Sequence, residues 1–204
     1  MYVIALTGGI ASGKTTLLNA LNNQGAPVID ADRISRSLTA PGGEALPLIR
    51  DAFGEGVFHG DGTLNRKALA AIVFSDEEAR RSLEGIIHPM VAARIKRELT
   101  GIGLTHKAAV VDIPLLYESG MDSIADEVWC VYVPKREQIR RLRERDGFTQ
   151  EQALMRLNSQ MDPREKCRRA DHVIRTDGLP SDSAAQAVLL WQNVLIKLGG
   201  TRFD

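Results

Sequence analysis

Apolar residues follow two rhythms along this chain. Short unbroken runs occur at Tyr2-Val3-Ile4-Ala5-Leu6, Pro27-Val28-Ile29-Asp30, Ala108-Ala109-Val110-Val111-Asp112, Val128-Trp129-Cys130-Val131-Tyr132-Val133 and His172-Val173-Ile174. None alternates apolar with polar, which suits strands covered on both faces by helices. Between the runs, apolar positions recur at helical spacing over Thr16–Leu21, Asn65–Phe74, Asp76–Gly85 and Pro89–Thr100. Strands separated by helices predict an α/β fold with a doubly wound, five-stranded parallel sheet. The long interval between the second and third runs predicts a helical insertion over the sheet edge where ligands bind. Ser181–Leu198 reads as one amphipathic helix. Its buried stripe is Val188, Trp191, Val194, Leu195 and Leu198; Ser181 is placed to cap it and Gly199-Gly200 to end it.

The first strand and first helix enclose Gly8-Gly9-Ile10-Ala11-Ser12-Gly13-Lys14-Thr15, which fits G-x-x-x-x-G-K-[ST]. That order has a physical reason. Glycines let the backbone curl until several N–H groups face one anion, and the helix N-terminus adds its positive end. Gly8, Gly9, Ala11, Ser12, Gly13, Lys14, Thr15 and Thr16 are therefore expected to cradle a nucleoside triphosphate. Lys14 reaches the β- and γ-phosphates, and the Thr15 hydroxyl can hold Mg²⁺.

Composition narrows the setting. Of 204 residues, 44% are hydrophobic and 25% charged, an ordinary globular balance. Lys plus Arg equals Asp plus Glu, which argues against a general nucleic-acid binder. No apolar run approaches the ~18 residues of a membrane span. The first strand leaves no room for a signal peptide, so a cytoplasmic protein is expected. Cys130 and Cys167 have neither metal-site nor disulfide-framework spacing, and read as buried or incidental thiols. His59, His88, His106 and His172 form no cluster with metal-ligand spacing.

Three further features can carry chemistry. Asp30-Ala31-Asp32-Arg33 closes the second strand, on the side that borders the ligand crevice in such sheets. One carboxylate there can accept a proton from an attacking hydroxyl; alternatively the pair is a helix N-cap with a surface ion pair to Arg33. Asp112 ends the third strand, where a carboxylate either positions Mg²⁺ through water or simply ends a buried strand. The run Lys135, Arg136, Arg140, Arg141, Arg143, Arg145 lies on a helix, mostly as a solvated face paired with Glu137, Glu144 and Asp146. Arg141 and Arg145 are four apart and share a face, which suits arginines closing over a phosphoryl group, with Asp146-Gly147-Phe148-Thr149 as a hinge.

Taken in order, the motifs resemble the dephospho-coenzyme A kinase family over nearly the whole chain. The resemblance rests on Leu6-Thr7-Gly8-Gly9-Ile10, Ile29-Asp30-Ala31-Asp32, Phe53-Gly54, Asp61–Arg66, His88-Pro89 and Asp112-Ile113-Pro114-Leu115-Leu116-Tyr117-Glu118. It continues through Gln138, Arg141, Arg145-Asp146, Gln160 and Ala170–Ile174. It implies ATP-dependent phosphorylation of the ribose 3′-hydroxyl of dephospho-CoA, the last step of coenzyme A synthesis. It also implies one domain in three parts. These are a nucleotide core over about 1–34, 105–134 and 166–204, a helical CoA-binding insertion over about 35–104, and a mobile lid over about 135–165. Asp32 is then the favoured base, with Lys14, Arg141 and Arg145 as its catalytic partners. The family often has Gly where Ala11 stands and Ser where Thr15 stands. It usually has Asn before the glycine of Arg175-Thr176-Asp177-Gly178, in a loop near the adenine.

Two other readings share the phosphate loop. Another small-molecule P-loop kinase would differ only in its acceptor pocket. A regulatory NTPase of the GTPase type should show Asp-x-x-Gly and Asn-Lys-x-Asp. Asp112 runs instead into Ile113-Pro114-Leu115, and no Asn-Lys-x-Asp occurs.

Overall fold

A computed structural model describes residues 1–199. Five strands form one sheet: β1 (Tyr2–Gly8), β2 (Val28–Asp30), β3 (Ala108–Asp112), β4 (Glu127–Tyr132) and β5 (His172–Arg175), in the order β2-β3-β1-β4-β5. β1 pairs parallel with β3 from Tyr2↔Ala108 to Leu6↔Asp112, and with β4 from Ile4↔Glu127 to Gly8↔Val131. β4 pairs parallel with β5. The central strand is thus the first in sequence, and later strands are added on either side of it. The crevice of a doubly wound sheet opens at that switch, beyond the carboxyl end of β1.

The chain divides into two compact units. One is Met1–Ile29 with the chain from Leu99 onward; the other is Asp30–Glu98. In the first, α1 (Lys14–Asn23) and α9 (Pro180–Lys197) cover one face of the sheet. Leu17 and Leu21 of α1, and Ala187, Trp191 and Val194 of α9, pack on Ile4, Leu6, Val110, Trp129, Val131 and Ile174. α6 (Lys135–Asp146), α7 (Gln150–Asn158) and α8 (Pro163–Arg169) complete this unit. Gly147 ends α6 in a left-handed conformation, and Thr149 opens α7 with a capping box to Gln152. Leu142, Ala153 and Leu157 form a small second core to which Ile10 and Ala11 of the phosphate loop add their side chains.

The second unit is helical. It holds α2 (Ala31–Leu38), α3 (Leu46–Phe53), α4 (Arg66–Ser75) and most of α5 (Glu77–Ile102). Its buried residues include Ile34, Leu38, Ile49, Val57, Leu69, Val91 and Ile95. Arg66 ties α4 to the end of α2, donating to the Thr39 carbonyl (3.2 Å) and hydroxyl (2.8 Å).

Three local expectations are corrected. The two helices expected over 76–85 and 89–100 are one, α5, which runs through Pro89, so His88-Pro89 is not a junction. Proline removes the bond to the carbonyl four residues back. That carbonyl belongs to exposed Gly85, where water can take the bond's place. Ser181 does not cap α9. The helix starts one residue earlier on Pro180, whose fixed φ suits the first helical position, and Leu179 precedes it. In the α9 stripe Trp191 and Val194 are buried, while Val188, Leu195 and Leu198 are half-buried. Gly199 has φ 78 after the helix; Gly200 lies outside the described residues.

Candidate active site

The phosphate loop departs from β1 at Gly8 and enters α1 at Lys14. Three backbone positions make the curl. A side chain at Gly8 would place its Cβ 2.6 Å from the Val131 carbonyl oxygen. One at Gly9 would lie 2.7 Å from Gln138 Nε2. Gly13, the helix N-cap, has φ 94 in the left-handed region. Ala11 also sits there, with φ 57, and no other described non-glycine residue does. The loop closes on itself through Ser12 N–H to the Gly9 carbonyl (3.1 Å) and Thr16 N–H to the Gly13 carbonyl (3.1 Å). Lys14 Nζ folds back to donate to the Gly8 carbonyl at 3.0 Å. Thr15 and Thr16 are exposed at the start of α1. The Ser12 hydroxyl is buried and has no hydrogen-bond partner, an orphan that an incoming anion would satisfy.

Side chains from distant segments hold the loop. Gln138 of α6, almost fully buried, donates to the Ile10 carbonyl at 2.7 Å. Gln160, just after α7, accepts from the Ile10 N–H at 2.9 Å. Both backbone polar groups of Ile10 are thus taken by two glutamines, 22 residues apart on the segment expected to be a lid. Arg141 donates to the Ala11 carbonyl (3.3 Å) and to the Thr176 carbonyl, and its Nε reaches Glu137 at 3.1 Å. Thr176 closes the ring, its hydroxyl donating to the Ser12 carbonyl at 2.5 Å. Hydrogen bonds from Arg140, with Arg141 beside it, hold the Glu137 carboxyl down at about 2.

Arg141 is therefore at the loop, and Arg145 is not. One turn further along α6, Arg145 forms a two-bond pair with its neighbour Asp146 (2.9 and 2.8 Å) and remains 65% exposed. Beside the loop, a cleft of about 510 Å³ is lined by Gly13, Thr16, Arg141, Thr176, Asp177 and Ser183 among others. Asp177 there is paired with Arg175 (2.6 Å).

In the helical unit, Asp30 is the N-cap of α2, its carboxylate accepting from the Arg33 N–H at 2.8 Å. Its ion-pair partner is Arg36 (3.8 Å), not Arg33, because the cap turns the carboxylate over the first turn of the helix. Asp32 lies in that first turn and is exposed. The two carboxylates thus differ: one is committed to the backbone, the other points outward. Asp112 ends β3 half-buried, in register with Leu6.

Sequence reasoning missed a buried charge. Lys166 of α8 is fully buried; its Nζ donates to the Pro114 carbonyl (2.7 Å) and pairs with Glu118 (2.8 Å). Glu118 also accepts from the Met161 N–H at 2.9 Å, next to Gln160. A lysine in a run of charges carries no signal that would mark it as internal. The two cysteines, 37 apart in sequence, are free thiols as expected, Cys130 buried and Cys167 half-buried, but spacing did not reveal that their sulfurs lie 3.6 Å apart.

A central strand running into a glycine-rich loop, with a lysine opening the next helix and a parallel sheet ordered 2-3-1-4-5, defines a P-loop kinase. The family model for dephospho-CoA kinase matches residues 2–182, and the chain belongs to that family. A dephospho-CoA kinase of Carboxydothermus hydrogenoformans is 42% identical, over 93% of each chain. The crystal structure of TT1252 from Thermus thermophilus superposes with TM-score 0.80 at 34% identity, covering 93% of this chain and 97% of that one. The structure of dephospho-CoA kinase from Campylobacter jejuni does so with TM-score 0.70 at 30% identity, covering 94% and 96%. Among the described residues, no helix is long and apolar enough to cross a membrane.

Proposed function

We propose that this enzyme transfers the γ-phosphoryl group of ATP to the ribose 3′-hydroxyl of dephospho-CoA, giving coenzyme A and ADP, with the following division of labour. The loop from Gly8 to Thr16 binds the triphosphate through its backbone N–H groups and the N-terminus of α1. Lys14 moves from the Gly8 carbonyl to the phosphate oxygens, where negative charge builds as the group transfers. Arg141 supplies a second positive charge from α6, and Arg145 joins when the lid closes. The Asp32 carboxylate accepts the proton of the 3′-hydroxyl, or orients that hydroxyl, as oxygen–phosphorus bonding develops. Asp30 is kept from that task by its cap. The cleft beside Thr176 and Asp177 takes the adenosine, and the helical unit takes the acceptor's pantetheine arm.

Mg²⁺ fits the donor chemistry here. It is bound mainly through substrate phosphates and waters, with one or two protein oxygens, and the exposed Thr15 hydroxyl and the Asp112 carboxylate are of that kind. When bound with ATP it would neutralise charge on the phosphates.

The observation that carries this reading is the family match over residues 2–182, joined to a loop whose carbonyls Lys14 and Arg141 each contact. The deciding experiment is ADP release from ATP with and without dephospho-CoA. Turnover is expected only with the acceptor, and the product should be phosphorylated at the 3′ position. Equal ADP release without acceptor would mark an NTPase; turnover only with a different acceptor would mark another P-loop kinase.

A further inference from the structure

Outside this machinery the unit built on the sheet holds two thiols in contact. Cys130 is buried on β4, in register with Thr7 on β1, the residue just before the phosphate loop. Cys167 lies on α8 and is partly exposed. Their sulfurs are 3.6 Å apart, and no metal-ligating cluster surrounds them among the described residues. We infer that Cys167 and Cys130 form an oxidant-sensitive dithiol, in which Cys167 reacts with a peroxide and Cys130 resolves it to an intramolecular disulfide that shuts down phosphoryl transfer.

The two sulfurs are unequal in the way this chemistry needs. The Cys130 contact, with the Arg175 guanidinium nearby, holds the Cys167 thiol below its usual range. The same contact and burial push Cys130 up. The accessible sulfur is thus the better thiolate, and the buried one waits as a thiol. In the first step the Cys167 thiolate attacks a peroxide oxygen; an S–O bond forms, the O–O bond breaks, and the leaving hydroxide takes a proton to become water. In the second the Cys130 sulfur, losing its proton, attacks the Cys167 sulfenic sulfur. The S–S bond forms, the S–O bond breaks, and hydroxide leaves as water. Two electrons pass from the two thiols to one peroxide.

The contact sits in a ring that reaches the catalytic loop. Lys166, beside Cys167, donates to the Pro114 carbonyl at 2.7 Å, and the Thr7 hydroxyl donates to that same carbonyl at 3.2 Å. Thr7 is next to Gly8 and in register with Cys130. Drawing the sulfurs from contact into a bond pulls α8 toward β4 and disturbs the Lys166–Pro114–Thr7 link beneath the loop.

The test is to titrate the full chain with hydrogen peroxide, following intact mass, free thiols and kcat with ATP and dephospho-CoA. Expected are a monomer lighter by two hydrogens, loss of both thiols, and a fall in kcat of about tenfold or more, the scale on which small misplacements act. A dithiol reductant should restore all three. Cys167→Ser should keep its activity in peroxide; Cys130→Ala should stop at a Cys167 sulfenic acid that a dimedone-type trap captures. The proposal is overturned by over-oxidation of Cys167 with both thiols unlinked, by a bond between two chains, or by a disulfide that leaves kcat unchanged. It is overturned equally if Cys167→Ser is inactivated as the parent is. The disulfide is read by mass, so it stands or falls apart from the assigned reaction, which the unoxidised parent reports.

Discussion

At the scale of single residues, the loop shows which side chains are committed and which are available. Lys14→Ala is expected to keep the fold and lose at least ~10²-fold in kcat, the effect of removing one transition-state donor. Steady-state turnover with both substrates, beside a melting curve, checks this. Asp30 and Asp32 offer a paired test. Asn caps a helix about as well as Asp, so Asp30→Asn should leave stability nearly unchanged and dent kcat little. Asp32→Asn removes the proposed proton acceptor and should cost ~10²–10⁴-fold in kcat with ATP affinity retained. Rescue by high Mg²⁺ would instead assign the carboxylate to ordering the metal's water. Parental turnover in Asp32→Asn with loss in Asp30→Asn would reverse the assignment. The motif and both aspartates were legible in the sequence because local spacing defines them. That Asp30, not Asp32, would cap α2 was not, since it turns on where one helix begins to within a residue. Nor could spacing reveal the buried Lys166 or the facing thiols, which depend on how α8 lies against β4.

At the scale of elements, α6 is the segment whose sequence reading needed the structure most. Arg141 and Arg145 share a face by spacing, yet one turn separates a contact with the loop from a pair in solvent. Arg141→Ala should therefore lower kcat and loosen the loop, whereas Arg145→Ala should lower kcat only if the lid must close. Measuring kcat and ATP affinity for both separates these effects, and parental kcat in both would leave α6 a solvated face. Glu137 adds a pH signature. Its carboxyl is held from 4.5 down to about 2 by Arg140 and Arg141. A depressed carboxylate stabilises the folded state above its unfolded pKa, and that contribution is lost as pH falls. Glu137→Gln should accordingly flatten the fall in stability between about 4.5 and 2, read by denaturant unfolding across that window. Unchanged steepness would mean the pair does not anchor the helix. The strands themselves were legible to within a residue or two, because unbroken apolar runs between turns have few other fates in an α/β protein. The break expected at Pro89 was not there, because an exposed helix tolerates a missing bond whose carbonyl meets water.

At the scale of the whole molecule, the division into two units gives the acceptor assignment a physical readout. Adding dephospho-CoA should slow amide hydrogen exchange within Asp30–Glu98, while ATP alone should act first on the loop and α6. Protection by dephospho-CoA confined to the sheet-bearing unit would move the acceptor site elsewhere. The strand order also bears on how the chain is made. Tyr2 pairs with Ala108, and Ile4 with Glu127, so β1 has neither of its neighbours until about a hundred further residues have followed it off the ribosome. At ~5–20 residues per second that is a wait of several seconds for an apolar strand. The helical unit, whose contacts are near in sequence, can settle meanwhile. The stretch that carries the phosphate loop is made long before the strands that flank it, so it waits to acquire its final shape, and it passes that youth as a ward of whatever shields it.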